Sequence, residues 1–228
     1  MFPLRDTVRS RSVPIVNYLI IATNVFIFFF EVSLGPVGLD RLIRAVALVP
    51  RSFVAHPGAG LATVFASMFL HAGWLHLIGN MWALFIFGDN VEDRMGHSRY
   101  LLFYLLSGLA AGIVDAYVQP FSSIPVVGAS GAIAGVMGAY LVLYPTARVL
   151  TIVPLFFLPW LVDVPAIVFI GLWFLLQLVS GVASLTTAAG GVAFWAHVGG
   201  FLFGLLAVKL FAARPANRPF YRDEYYPW

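Results

Sequence analysis

Residues Val164–Val208 read VPAIVFIGLWFLLQLVSGVASLTTAAGGVAFWAHVGGFLFGLLAV, 45 residues without one charged side chain. A bilayer core takes about 20 residues of α-helix per crossing, so this run is long enough for two helices and the turn between them. Working outward, Ser12–Phe30, Ser52–Gly88 and Ala116–Ala147 are also free of charge. Over all 228 residues, 61% are hydrophobic, 10% are charged and none is cysteine. A soluble domain carries about 25% charged residues, so a disordered chain and an ordinary soluble enzyme are both excluded. The lack of cysteine removes thiol nucleophiles, thiolate metal sites and disulfides. The expected fold class is an all-α polytopic membrane protein.

Six spans are predicted, at 13–33, 74–92, 99–118, 129–144, 165–182 and 193–212. They form one membrane domain over 13–212, with short polar tails at 1–12 and 213–228. The first apolar segment reads as a signal anchor. Val149–Val162 is too short to cross and contains Pro154 and Pro159, so an interfacial or re-entrant segment is expected. In Leu39–Ala47, residues Leu39, Leu42, Ile43 and Val46 share a helical face opposite Arg41 and Arg44. That is the pattern of a surface helix, and a plain loop is the alternative.

Orientation follows from the 13 Lys and Arg residues. With a cytoplasmic N-terminus, that side holds Arg5, Arg9, Arg11, Arg94, Arg99, Arg148, Lys209, Arg214, Arg218 and Arg222, against Arg41, Arg44 and Arg51 outside. An even number of spans returns the C-terminus to the cytoplasm. The formal charge of +3 is thus a topology signal, and no nucleic-acid partner is expected.

Polar groups at membrane depth are costly and mark function. Span two contains His76 and Asn80 and is preceded by His71; span four opens with Gly128-Ala129-Ser130-Gly131; span six contains His197. Spans two, four and six all run from outside to inside, and each candidate lies in the opening part of its span. All of them therefore share a depth in the outer half of the bilayer. Ser130 sits where a glycine-rich turn enters a helix, with unsatisfied N–H groups available to a developing oxyanion. A serine needs a base, and the histidines at its depth are His197, His76 and His71. His76 and Asn80, four residues apart, present donors on one helical face.

Gly200 and Gly204 lie three and seven residues beyond His197, and Gly131, Ala134, Gly135 and Gly138 line span four. Small faces of this kind let two helices approach closely. Taken singly, each feature has a plainer explanation: serines that bond back to their own helix (Ser67, Ser107 and Ser180 are examples), packing glycines, or an interhelical histidine. A zinc site at His71, His76 and His197 is a further alternative, without HExxH or a carboxylate in support. Asp115 and Asp163 are not placed to orient His197, while His56 and His97 fall in loops and read as solvated. The shared depth favours a serine-histidine catalytic site with no metal.

The chain resembles the rhomboid intramembrane serine proteases in His71-Ala72-Gly73-Trp74-Leu75-His76-Leu77-Ile78-Gly79-Asn80, in Gly128-Ala129-Ser130-Gly131, and in Ala196-His197-Val198-Gly199-Gly200 with Gly204. Val91-Glu92-Asp93-Arg94-Met95-Gly96 is similar to the family as well. The resemblance covers about 13–212 and implies a six-transmembrane-helix bundle with a water-filled cavity open to the outer side. It implies Ser130 as nucleophile, His197 as general base, and His76, Asn80 and the Ser130 N–H as oxyanion donors. His71 would be structural, and Glu92 and Arg94 would brace a loop or the ends of nearby helices. No cofactor is implied. The implied partners are membrane lipid and single-pass transmembrane substrates, cut near the extracytoplasmic face of a plasma (inner) membrane.

Four residues beyond the nucleophile, many family members carry an aromatic residue against the catalytic imidazole, and this chain has Ala134. Trp195, Phe201 or Trp173 is expected to fill that space. The uncharged stretch 183–192 reads either as a mobile cap over the cavity or as a tight apolar turn. A client-binding relative without catalysis would lack the serine or the histidine, and a transporter would show paired broken spans or more intramembrane charge.

Overall fold

A computed structural model describes residues 1–155, 158–185 and 192–213. The order of elements is β1 (Phe2–Asp6), α1 (Ile15–Ser33), α2 (Gly35–Val46), α3 (Pro50–Ala55), α4 (Pro57–Ser67), α5 (Trp74–Met95), α6 (His97–Val118), α7 (Ser130–Leu143), β2 (Arg148–Leu155), β3 (Leu158–Pro165), α8 (Ala166–Ser184) and α9 (Phe194–Phe211). Helices occupy all six stretches expected to be spans. Four of them, α1, α6, α8 and α9, are long and apolar enough to cross a membrane. Helix α7 is apolar but only 14 residues long, and α5 carries Asp89, Glu92, Asp93 and Arg94 in its last two turns.

The expectation of an all-α chain is corrected by a three-stranded antiparallel sheet in the order β1-β2-β3. The segment read as interfacial or re-entrant forms β2 and β3, and the stretch read as an N-terminal tail supplies β1. The physical reason lies in the residues: Val149, Thr151, Ile152, Val153, Val162 and Val164 are β-branched. Pro154 and Pro159, which would break a helix, face one another across the β2–β3 ladder. Trp82 of α5 donates its indole N–H to the Pro3 carbonyl at 2.6 Å. Asp6 accepts from Asn90 of α5 at 2.9 Å and from the Tyr140 hydroxyl of α7. The sheet thus covers the end of the bundle opposite Ser130, which opens α7.

Burial of Asp6 pushes its carboxyl up to about 7, opposed by the Tyr140 hydrogen bond and reinforced by Asp89. A raised carboxyl binds more protons when docked than when released, so docking is strongest below the ordinary carboxylate range and weakens as pH rises towards 7. Protection factors at residues 2–6, taken relative to the intrinsic exchange rate at each pH, should therefore be larger at pH 5 than at pH 8, falling by up to about tenfold per pH unit until pH reaches about 7. Asp6→Asn should flatten the dependence. Equal protection at both pH values in the unaltered protein would contradict this account.

Pro14 precedes α1 and offers no side-chain cap. The orphan amides are served from α5 instead: Val16 and Asn17 donate their N–H groups to the Glu92 carboxylate at 2.9 and 2.7 Å. Negative charge at a helix N-terminus is favourable. His97 is exposed, as expected, but it opens α6 instead of lying in a loop, and it meets the same carboxylate through Nδ1. Asn17 is buried, donates to the Leu84 carbonyl at 3.1 Å and accepts from Tyr100 at 2.8 Å. Gly88 leaves the space, since a Cβ there would collide with the Asn17 side chain. Arg94 lies over the Tyr144 ring, 5.8 Å from its centroid. Glu92 and Arg94 therefore brace helix ends.

Helix α2 places Leu39, Leu42, Ile43 and Val46 on its half-buried face, with Arg41 and Arg44 exposed. Asp40 and Arg44 pair one turn apart at 2.8 Å, which lowers the Asp40 carboxyl and raises the Arg44 guanidinium. Of the two readings for this stretch, the surface helix is the one observed. Residues 214–228, most of the expected C-terminal tail, lie outside the described residues.

Candidate active site

Gly128 sets the turn into α7 with φ +128°, a backbone state that favours glycine. Its N–H donates to the Ser67 carbonyl at 2.9 Å. A Cβ built there would sit 2.7 Å from His76 Cε1 and 3.5 Å from Ser130 Oγ. The missing side chain is what lets the His76 ring come up beside the serine.

The approach of α7 to α9 is equally demanding. A Cβ on Gly200 would overlap the Gly131 carbonyl oxygen, and one on Gly204 would overlap the Gly135 carbonyl oxygen. At this separation His197 Nε2 lies 2.7 Å from Ser130 Oγ. The other ring nitrogen, Nδ1, lies 2.8 Å from Gln177 Oε1 on α8. Trp173, one turn earlier on α8, places its ring 5.9 Å from the imidazole at an interplanar angle of 37°. Of the three aromatics expected beside His197, Trp173 takes the place. Trp195 instead donates to the Gly181 carbonyl at 3.1 Å, and Phe201 stacks on Phe174 at 4.3 Å.

His76 Nδ1 accepts from the Ala72 N–H at 3.4 Å. In neutral imidazole this leaves the proton on Nε2, the nitrogen that would lie 2.8 Å from a Gly128 Cβ. Asn80 Nδ2 is buried and has no hydrogen-bond partner among the described residues. Unused amide donors of this kind are what an oxyanion requires. His71 is buried with its ring 5.2 Å from that of His76. Its backbone N–H is held by both carboxylate oxygens of Glu31 at 3.2 Å. Burial, assisted by His76, pushes the His71 imidazole down to about 4.

Among the described residues no group of three or more His, Cys, Asp or Glu could hold a metal. Ser67 and Ser107 bond back to Val64 and Phe103 of their own helices, both at 2.8 Å.

Sequence reasoning missed Gln177, which carried a usable signal: it is the single amide side chain in Val164–Val208. Asp115 is not among the partners of the His197 ring; it accepts from the Gln119 amide at 3.3 Å. The stretch 186–191, and with it most of the expected cap, lies outside the described residues.

The sequence pattern of the Rhomboid domain matches residues 58–214, from α4 to beyond α9 and including every residue of this site. The chain belongs to the rhomboid family. It is similar to RHOMBOID-like protein 6, mitochondrial, of Arabidopsis thaliana, with 46% identity over 76 residues, 33% of this chain and 24% of the relative. Rhomboid protease GluP of Bacillus subtilis is 34% identical over 129 residues, 56% of this chain and 24% of the relative. Rhomboid protein 1, mitochondrial, of Saccharomyces cerevisiae is 31% identical over 172 residues, 73% of this chain and 45% of the relative. This rhomboid thus spans less than half the length of each of these three relatives. Its family and its apolar helices make it an integral membrane protein.

Proposed function

We propose that this rhomboid is an intramembrane serine endopeptidase working through a Ser130–His197 dyad. The observation that carries the reading is the 2.7 Å contact between His197 Nε2 and Ser130 Oγ. Ser130 Oγ attacks the scissile carbonyl carbon while His197 Nε2 takes its proton. His76, Asn80 and the Ser130 N–H stabilise the oxyanion. The imidazolium then protonates the leaving amine, and water attacks the acyl-enzyme with His197 again as base, releasing the acid and restoring Ser130. No cofactor enters the cycle.

The substrates in this reading are single-pass membrane proteins, cut near the extracytoplasmic end of their transmembrane helix. The core at 13–212 crosses the plasma (inner) membrane six times with both termini cytoplasmic, as the charge bias of ten against three supports. Relatives whose names include rhomboid protease add support for peptidase activity.

The test is covalent. A fluorophosphonate probe should label detergent-solubilised protein at one serine, with labelling lost in Ser130→Ala and lowered at least about tenfold in His197→Asn. Equal labelling of wild type and Ser130→Ala would sink the proposal.

A further inference from the structure

The neutral imidazole of His197 carries one ring proton, and its two neighbours settle where that proton must be. For Ser130 to be activated its O–H donates to Nε2, which must then be a bare lone pair. The proton is left on Nδ1, 2.8 Å from the Gln177 amide oxygen. The reverse amide orientation would aim N–H₂ at Nδ1, force the proton onto Nε2 and leave Ser130 an acceptor with no base. We propose that Gln177 is the positioning residue of the catalytic base, its amide oxygen accepting the Nδ1–H and holding His197 in the tautomer that can take the Ser130 proton. This inference rests on the protease reading of the Ser130–His197 pair.

Several features suit an amide to the position. Helix α8 carries Gln177 one turn after Trp173, so a single helical face presents both the acceptor and the ring. The aromatic neighbour of the imidazole is Trp173 of α8, while α7 carries Ala134 one turn after Ser130. A carboxylate here would place a full charge at membrane depth, whereas an amide gives the same hydrogen-bond geometry uncharged. It also cannot titrate, so the tautomer is held at any working pH.

The ionisable surroundings of His197 are few. From α5, His76 acts on it electrostatically. From α6, Asp115 accepts from the Gln119 amide and makes no hydrogen bond to the His197 ring. Helix α7 contributes Ser130, α8 has no charged residue, and Lys209 on α9 lies at the far end of the helix.

Two measurements test the role. In protein labelled with ¹⁵N-histidine, with His197 assigned by its loss in His197→Ala, the wild type should show the Nδ1–H tautomer. Gln177→Leu should convert it to a mixture or to Nε2–H. In cleavage assays Gln177→Leu should lower kcat about 10²-fold with KM changed less than about twofold, the split expected when a base is mis-set and binding is intact. Gln177→Glu keeps an acceptor of nearly the same shape and remains informative if the leucine variant fails to fold. Its carboxylate favours imidazolium, so the acid limb of kcat/KM should move up by about one pH unit. A merely structural glutamine would move neither the tautomer nor the acid limb. Retention of Nδ1–H in Gln177→Leu, or an unmoved limb in Gln177→Glu, overturns the proposal. Wild type that cleaves no better than Ser130→Ala overturns the protease reading instead, and the NMR pattern still decides whether Gln177 holds the ring.

Discussion

Ser130→Ala is expected to bring cleavage of a transmembrane reporter down to background, a loss of at least about 10³-fold, with the thermal midpoint of the protein unchanged. The hydroxyl is the atom that forms the acyl bond, and its removal leaves only a small gap beside the His76 and His197 rings. His197→Ala should cost nearly as much, because a hydroxyl without a base is a poor nucleophile. The double variant should lose no more than either single one, since the two groups act as a unit. Asn80→Ala gives an intermediate loss of about 10²-fold in kcat, the typical cost of one oxyanion donor. The unpartnered Asn80 Nδ2 is the structural reason to expect it. Cleavage measured in detergent and in liposomes checks the series. Wild-type rates in Ser130→Ala would end the assignment, and strictly additive losses in the double variant would show that the two residues do not share one step.

The second large effect belongs to two glycines that touch no substrate. Gly200→Val and Gly204→Val each place a β-branched side chain where a carbonyl oxygen of α7 already lies. Overpacking a well-filled interior usually costs about 1–3 kcal/mol. Here the obstacle is backbone that cannot rotate away, so the cost falls at or above the top of that range. Helices α7 and α9 must separate, and the 2.7 Å Ser130–His197 contact is set by that separation. Thermal denaturation in detergent should show both variants markedly destabilised, with residual folded protein inactive towards the fluorophosphonate probe. Gly171→Ala on α8, where a Cβ meets nothing within 4 Å, is the control and should behave as wild type. If Gly204→Val melts and labels normally, the close approach of the two helices is not what sets the site.

The positions of α1 and α5–α9 were legible because apolar runs stand out in the sequence, and charge marks where most of them stop. The site was legible because His76, Asn80, Ser130 and His197 are polar groups in runs that otherwise exclude them. The hairpin from Arg148 to Pro165 was not, since a short apolar run with two prolines fits a re-entrant segment as well as a strand pair, and the β1 partner lies more than 140 residues away in sequence. Helices α3 and α4, each opened by a proline and separated by His56, lie between the first two expected spans, where no element was expected. Gln177 escaped because its role depends on the rotation of α8 against α9, which no local pattern encodes.

The borrowed cap on α1 has a consequence for biosynthesis. The amides of Val16 and Asn17 find their partner in Glu92, 75 or more residues later in the chain. At about 5–20 residues per second of translation, the first helix waits roughly 4 to 15 s before the residue that closes its end has even been made. Its final seat is therefore taken only after α2, α3, α4 and α5 have followed it out of the ribosome, so α1, although made before them, is not locked until α5 arrives.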